Sequence, residues 1–377
     1  MENEYGNSKR KICTGKSIYR RYGGLCRGTA SDDLRQSGIG GVQDPGVMPD
    51  VHPGKVGTIG LTMTVGKRVI PNLLGVDIGC GMTCAAIREK RIEMQKLDKV
   101  IRESIPSGFQ IRKKAHRMTE AFEPERLRCH RHIHKEKTAL SLGTLGGGNH
   151  FIEVDKDEDG RLYIIVHSGS RHLGKEVTDY YVDAGAELLK ESGEEVPYPM
   201  MWLEGELMED YIADVGVVQE YAQLNREIIL AEILKGMKLK ALENFSSVHN
   251  YVGTFSDKRI LRKGAISAAK GERVIIPVNM RDGVLLGVGK GNPDWNESAP
   301  HGSGRRMRRD EVKSSYTVSA FKNEMKGIYC SCIGADTLDE APLAYRPMEK
   351  LLGNIEDTVE VTHILKPVYN FKAGGKG

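Results

Sequence analysis

The chain has 377 residues and a nearly balanced charge, with 55 Lys and Arg against 51 Asp and Glu. A net charge of +4 excludes a general attraction to nucleic acid, so an anionic partner would need a local basic patch. The 44 glycines indicate many tight turns, and an aromatic content of 6% argues against a binding surface made mainly of stacked rings. No apolar run reaches the ~18 residues of a membrane helix, and the seven cysteines lack the regular spacing of a disulfide scaffold. We therefore predict a soluble, cytoplasmic globular protein.

The apolar pattern predicts strands on both sides of a central helical block. Residues 1–35 are polar and basic without periodicity, which is typical of a loose N-terminal arm. In chain order, the predicted elements are strands at 58–65 and 72–78, helices at 92–105 and 120–142, a strand at 161–166, helices at 174–192 and 204–244, strands at 259–266, 273–278 and 284–288, and an alternating strand pair at 359–371. This order favours an α+β fold, a single intertwined domain of mixed β-sheets over residues 36–377 with a central helical insertion.

Several polar side chains follow regular elements directly, next to Gly or Ser. Asp77 and Cys80 lie on a Gly-rich turn after an apolar run, where a carboxylate and a thiolate can face one ion; a buried structural Cys is the simpler alternative. His150 follows three successive glycines and Asn149, a loop that could approach a phosphate closely but is not a Walker motif. His167 and His249 each end an apolar or helical run.

A single His of this kind is usually a hydrogen-bonded structural residue. Donors of the His, Cys and Asp types, each at the end of an element, favour a shared metal site over scattered core residues. The ligand types suit Mn, Fe, Co or Zn and do not choose among them.

His301 lies between Pro300 and a Gly-Ser-Gly segment that is followed by arginines. Such an imidazole is poorly placed for core packing and could act as a nucleophile at phosphorus, with Arg and metal ions stabilising the developing charge. The alternative is a basic surface loop with an incidental His. The stretch 112–137 is rich in Lys, Arg and His; a solvated face is the simpler interpretation, and part of an RNA groove is the other.

Taken in order, these motifs resemble the RtcB family of RNA ligases. The resemblance rests on Met-Pro-Asp-Val-His at 48–52, Gly-Val-Asp-Ile-Gly-Cys-Gly at 75–81, Leu-Gly-Gly-Gly-Asn-His at 145–150, Val-His-Ser-Gly-Ser-Arg at 166–171, His-Asn-Tyr-Val at 249–252, Arg-Lys-Gly-Ala at 262–265 and His-Gly-Ser-Gly-Arg at 301–305. The matches run from about residue 38 to the C-terminal region.

The resemblance implies an RtcB-like fold and a GTP-dependent ligase with two Mn²⁺ ions. Such an enzyme joins RNA that ends in a 3′-phosphate or 2′,3′-cyclic phosphate to RNA with a 5′-hydroxyl, in RNA repair or tRNA splicing. By position, Cys80 would bridge the two metals, with Asp77 and His150 on one and His167 and His249 on the other. His301 would attack the α-phosphate of GTP and carry GMP.

The same resemblance assigns roles to further residues. The guanylate would be held by Asn149, Glu153, Gly302, Gly304 and Lys372. Phosphates of the nucleotide or RNA would be bound by Lys263, Arg171 and Arg305, and Asp50 matches an acidic residue near the site.

The chain departs from the family pattern in three places, which suggests a divergent, bacterial-type branch. Family members have a Gly-Ser-Met-Gly turn where this chain has Val-Asn-Met-Arg-Asp-Gly at 278–283, so Asn279 or Arg281 would replace a nucleotide-contacting Ser. The chain continues past Lys372, and the third residue of the His-Gly-x-Gly motif is Ser303. Two other functions stay open: a metal-dependent RNA phosphodiesterase or cyclic phosphatase that needs no His301, and a non-catalytic RNA-binding protein with a structural metal.

Overall fold

The computed structural model describes residues 43–54, 56–255 and 257–373. The predicted N-terminal arm and residues 374–377 lie outside this part of the chain. The described strands are β1 (Gln43–Pro53), β2 (Thr58–Thr64), β3 (Arg68–Val69), β4 (Gly81–Ile87), β5 (Phe151–Lys156), β6 (Leu162–Ser168), β7 (Leu203–Glu204), β8 (Ala241–Val248), β9 (Asn250–Phe255), β10 (Lys258–Lys263), β11 (Ala265–Ser267), β12 (Arg273–Asn279), β13 (Gly283–Gly289), β14 (Ser298–Pro300) and β15 (Val359–Lys372). The described α-helices are α1 (Pro71–Leu74), α2 (Met94–Ser104), α3 (Lys135–Ser141), α4 (Arg171–Glu191), α5 (Gly205–Met237), α6 (Arg309–Ser315), α7 (Val318–Glu324) and α8 (Met348–Ile355).

The largest sheet has seven strands in the order β12-β13-β15-β5-β6-β4-β8, and every neighbouring pair is antiparallel. A second sheet has the order β1-β2-β10-β9, and β11 pairs with β14. Along the chain, helices α4 and α5 lie between β6 and β8. Helices and strands are therefore mixed as the α+β prediction expected, whereas the division at residue 36 stays a prediction.

The long helix α5 packs against α2, α4 and β6. Its apolar residues Val215, Val218, Ile229 and Ile233 are all completely buried, as their spacing of three and four predicts. Burial of this stripe ties the helical block to the seven-stranded sheet. Within the described ranges, no helix combines the length and apolar character needed to cross a membrane.

Several predicted elements differ from the structure in type or in where they end. The strand predicted at 72–78 is the helical turn α1, because Pro71 starts a helix and Gly75, with a φ of 85°, ends it. The helix predicted at 120–142 is a series of 3₁₀ turns followed by α3, and Pro124 interrupts helical hydrogen bonding there. The helix predicted to run to residue 244 ends at Met237, since residues 241–248 pair with β4.

The C-terminal segment is one 14-residue strand, β15, and not the predicted strand pair. Its first half pairs with β13, and its second half pairs with β5, with a register shift near Pro367. The strand thereby joins the two halves of the seven-stranded sheet and brings Lys372 opposite Phe151.

Candidate active site and metal centre

Four neighbouring strands of the large sheet bring the predicted metal ligands to one edge. The strand order is β5-β6-β4-β8, and neighbours run in opposite directions. Cys80 and His150 immediately precede the starts of β4 and β5, while His167 lies at the end of β6 and His249 just after β8. Because antiparallel strands alternate in direction, two starts and two ends meet at the same edge.

Cys80 lies at the centre of this cluster. Its Sγ is 3.4 Å from His150 Nε2 and 3.4 Å from His167 Nε2. His150 Nε2 is 3.1 Å from Asp77 Oδ2, and His167 Nε2 is 3.3 Å from His249 Nε2. The potential ligand atoms therefore form two groups, each within 4.8 Å, and Cys80 belongs to both.

Two of the imidazoles are oriented by backbone carbonyls on their far side. His150 Nδ1 is 2.9 Å from the carbonyl oxygen of Leu145, and His167 Nδ1 is 3.0 Å from that of Asn149. A carbonyl accepts the Nδ1–H proton, so the Nε2 lone pair of each ring points into the cluster. This arrangement is typical of metal-bound histidines.

The electrostatics of the cluster suit cations. Burial lowers the pKa of His167 and His249 well below the ordinary range, which keeps both rings neutral. Burial and the adjacent Asp77 carboxylate raise the pKa of the Cys80 thiol. Burial alone would raise the pKa of Asp77, but the interaction with the adjacent His150 outweighs it and lowers that pKa. Neutral imidazoles, a carboxylate and a thiol that needs positive charge to ionise together fit a metal site.

His301 lies directly beside this cluster. Its ring centroid is 5.0 Å from that of His249, because β14 pairs with β11 and the Ala265 amide donates to the His249 carbonyl at 3.3 Å. Its Nδ1 is 2.6 Å from Oδ2 of Asp50, a residue of β1 that is 1% exposed. A carboxylate on Nδ1 leaves Nε2 with a free lone pair, an arrangement that would allow nucleophilic attack by the ring.

Two glycines of the predicted motifs are required by close contacts. Gly304 has a φ of 73°, and a Cβ there would lie 2.6 Å from the carbonyl oxygen of Asp50. Gly146 has a φ of 85°, and a Cβ there would overlap the Arg171 guanidinium. Gly302 is less constrained, since its Cβ would lie 3.3 Å from the Pro277 carbonyl oxygen.

The two predicted phosphate-binding cations, Arg171 and Lys263, lie near the cluster; Lys263 is buried and Arg171 is partly buried. Arg171 donates to the Gly108 carbonyl at 2.9 Å and to the Thr144 hydroxyl at 3.2 Å. Lys263 Nζ donates to the carbonyls of Val56 and Asn72, and burial lowers its pKa to about 8. Both cations therefore contact neutral acceptors, which leaves their charge available to an anion.

The predicted nucleotide residues of β5 and β15 are brought together in the sheet. Lys372 Nζ lies 3.5 Å from the Asn149 carbonyl oxygen and 2.7 Å from Oε2 of Glu340. Glu153 is buried and accepts a hydrogen bond from the Asn370 amide. Burial and the neighbouring Asp155 raise the pKa of Glu153 well above its ordinary value.

Arg305 and Asn279 make contacts that the sequence did not predict. Arg305 Nη1 lies 3.3 Å from Oε1 of the buried Glu340. Asn279 Oδ1 accepts the amide hydrogens of Arg281 and Asp282, so its side chain closes the turn between β12 and β13. The ligand roles of both residues stay predictions.

Sequence reasoning missed a buried polar pair on α5, Asn225 and Arg226, both 0% exposed. Arg226 Nη1 donates to the carbonyls of Gly79 at 2.9 Å and Ser168 at 3.0 Å, each next to a candidate ligand. Asn225 accepts the Gly143 and Thr144 amide hydrogens and donates to the Gly169 carbonyl. The available signal was a polar break in the apolar stripe of α5.

Glu340 was also missed. Its carboxylate contacts Lys372, Arg305 and Arg309, and the Tyr345 hydroxyl donates to it at 2.6 Å. No motif marks it in the sequence, because its partners come from distant segments.

Comparison with known proteins gives consistent matches. A family model described as tRNA-splicing ligase RtcB matches residues 38–129 and 120–373. RNA-splicing ligase RtcB1 of Escherichia coli strain ATCC 25922 is 31% identical over 374 residues, covering 85% of this chain and 88% of that protein. RNA-splicing ligase RtcB of Escherichia coli strain K12 is 30% identical over 367 residues, with the same coverage. The tRNA-splicing ligase RtcB of Aeropyrum pernix is 26% identical over 274 residues, covering 58% of this chain and 56% of that protein.

Proposed function

The chain belongs to the RtcB family of RNA ligases, and from this premise we propose a GTP- and Mn²⁺-dependent enzyme that seals RNA ends through a guanylylated His301. The ends joined are a 3′-phosphate or 2′,3′-cyclic phosphate and a 5′-hydroxyl, in RNA repair or tRNA splicing. The cytoplasm is the proposed location.

Two Mn²⁺ ions would be held by the two ligand groups that share Cys80. Asp77 and His150 would complete one, and His167 and His249 the other. Bound divalent ions neutralise phosphate charge and lower the pKa of bound hydroxyl groups. Mixed carboxylate, imidazole and thiolate donors are compatible with this metal.

His301 is the proposed nucleophile. Its Nε2 attacks the α-phosphorus of GTP, a P–N bond forms, and the bond to pyrophosphate breaks. Asp50 accepts the Nδ1–H hydrogen bond and stabilises the positive charge that develops on the ring. The P–N bond then breaks as GMP passes to the RNA 3′-phosphate, which gives that phosphate a good leaving group. The 5′-hydroxyl oxygen then attacks that 3′-phosphorus, a phosphodiester bond forms, the bond to GMP breaks, and the hydroxyl proton passes to water.

The remaining predicted residues would bind the two substrates. Asn149, Glu153, Gly302, Gly304 and Lys372 would hold the guanylate, with Asn279 as the substitute for the missing Ser. The cations Arg171 and Lys263, and Arg305 beside Glu340, would hold phosphates. A charged group in a site of low dielectric interacts strongly with phosphate, which supports these roles.

The observation that carries this proposal is the position of His301, whose ring lies 5.0 Å from that of His249 and whose Nδ1 meets a buried carboxylate. A metal-dependent phosphodiesterase would need the metal ligands but no such imidazole–carboxylate pair. The geometry therefore favours nucleotide transfer.

The test is covalent labelling with α-³²P-GTP and Mn²⁺. We expect acid-labile label on the wild-type chain, loss of that label in His301→Ala, and retention in His363→Ala, a control at an exposed His of β15. The labelled protein should join RNA with a 3′-phosphate to RNA with a 5′-hydroxyl and should reject RNA with the phosphate on the 5′ side. Absence of label from the wild type with every divalent metal tried would contradict the proposal and favour the phosphodiesterase.

A further inference from the structure

The most exposed large apolar side chain among the described residues lies next to the candidate active site. Phe109 is 83% exposed, against 56% for Leu242 and 53% for Leu188. It follows α2 and precedes a basic segment in which Lys113 and Lys114 are also exposed. An exposed phenyl ring offers a large apolar face that a partner could cover.

A rigid turn holds Phe109 in this position. The Gln110 amide donates to the Ser107 carbonyl at 3.2 Å, and Gly108 supplies the φ of 66° that the turn needs. The Gly108 amide donates to the Gly146 carbonyl at 2.9 Å, and Leu145 donates to Pro106 at 2.9 Å. Phe109 is therefore presented on a fixed backbone, which lowers the entropy cost of binding through it.

The turn contacts both the loop that carries the candidate metal ligand His150 and the candidate phosphate ligand Arg171, the first residue of α4. Arg171 donates to the Gly108 carbonyl at 2.9 Å. Gly146, the partner of Gly108, would place a Cβ 2.7 Å from His150 Nδ1. The turn that carries Phe109 thus lies at the margin of the site where RNA phosphates would bind.

We propose that Phe109 is a stacking platform for a base of the RNA strand whose end lies in the active site. Unpaired RNA bases stack on aromatic side chains irrespective of sequence, and nearby cations hold the backbone. The inference rests on the proposed function, because the base belongs to the RNA being joined. Lys113 and Lys114, both exposed in the segment that follows Phe109, add positive charge to this part of the chain, which suits RNA better than an apolar partner.

The first experiment measures binding of a single-stranded RNA with a 3′-phosphate by fluorescence anisotropy, without GTP. Phe109→Ala should bind about 5-fold to 150-fold more weakly than wild type, and Phe109→Trp should bind at least as tightly as wild type. The exposed apolar control Leu188→Ala should bind as wild type does. Because the ring is exposed, the thermal midpoint of Phe109→Ala should equal that of the wild type.

A second experiment locates the stacked base with RNAs that carry one abasic nucleotide at successive positions from the end. At one position the abasic RNA should bind wild type and Phe109→Ala equally, since the contact is already lost. The slope of log affinity against log salt should be the same in both proteins, because no phosphate contact changes.

Equal RNA affinity of wild type and Phe109→Ala, or a deficit that persists with every abasic RNA, would overturn the inference. Labelling of His301 by GTP separates this result from a failure of the proposed function. If the wild type labels and ligates while Phe109→Ala binds RNA normally, only the stacking role fails.

Discussion

At the scale of single residues, the Asp50–His301 pair carries the proposed chemistry. The carboxylate keeps the Nδ1–H tautomer, so Asp50→Asn should let the amide donate to Nδ1 and turn the lone pair away from the substrate. We expect the rate of GTP labelling to fall by about 10³–10⁴-fold, with metal content unchanged by elemental analysis. If Asp50→Asn is labelled as fast as the wild type, the Asp50 carboxylate has no role in the labelling step.

Cys80 differs from the other described cysteines because its Sγ belongs to both ligand groups. Cys80→Ala should abolish binding of both metals, whereas Cys330→Ala should leave the metal content unchanged. Cys330 is a matched control, since its Sγ lies 3.2 Å from that of Cys332 and in neither group. Elemental analysis of the purified variants decides, and full metal content in Cys80→Ala would refute the shared-ligand arrangement.

At the scale of elements, α5 positions the sheet edge through Arg226. Arg226→Met should leave the carbonyls of Gly79 and Ser168 without a donor, at a cost of about 1–3 kcal/mol in unfolding free energy for each. It should also weaken metal binding by about 10–100-fold, because the segments carrying Cys80 and His167 lose their common anchor. Urea unfolding and metal titration measure the two effects.

The control for Arg226 is Glu209→Gln on the same helix, which removes an exposed ion pair with Arg259. Such a pair contributes roughly 0–1 kcal/mol, and metal affinity should not change. If Arg226→Met does not fold, metal affinity is measured in Arg226→Lys. This variant keeps the positive charge but cannot donate to the carbonyls of both Gly79 and Ser168 in the same way. Normal metal affinity in a folded Arg226 variant would exclude the positioning role.

The element types were predictable where periodicity was strong and not where local signals conflicted. The apolar stripe of α5 and the alternation of β2 predicted both elements correctly. The helical turn at Pro71 was missed because a short apolar run fits a helix or a strand equally well. The end of α5 was missed because pairing of β8 with β4 decides where the helix stops.

At the scale of the whole molecule, Glu340 joins three segments near the site. It contacts Arg305 at the end of the His301 motif, Arg309 at the start of α6 and Lys372 on β15. Although burial alone would raise the pKa of Glu340, Lys372 and the two arginines outweigh it and lower that pKa from 4.5 to about 2.

The lowered pKa of Glu340 predicts how the unfolding free energy depends on pH. The stabilisation from ionised Glu340 is fully present above its ordinary pKa and is lost as the pH falls from 4.5 towards 2. Glu340→Gln should lower the unfolding free energy at pH 7 by about 3–5 kcal/mol. As the pH falls from 4.5 towards 2, the unfolding free energy of this variant should fall less steeply than that of the wild type. The control Glu220→Gln, at an exposed pair with Arg126, should change neither quantity measurably. Parallel pH profiles for wild type and Glu340→Gln, measured by urea unfolding, would contradict this role.

The amino-acid sequence by itself determined which chemical groups the site contains, because donor types, glycine positions and motif order are local properties of the chain. It also determined the family, since those motifs are long and occur in order. Only the tertiary structure decided which groups meet: Asp50 and His301 are 251 positions apart, and nothing local links them. Strand order brings the ligands to one edge, and partners such as Arg226 and Glu340 acquire their roles from segments that approach only after folding.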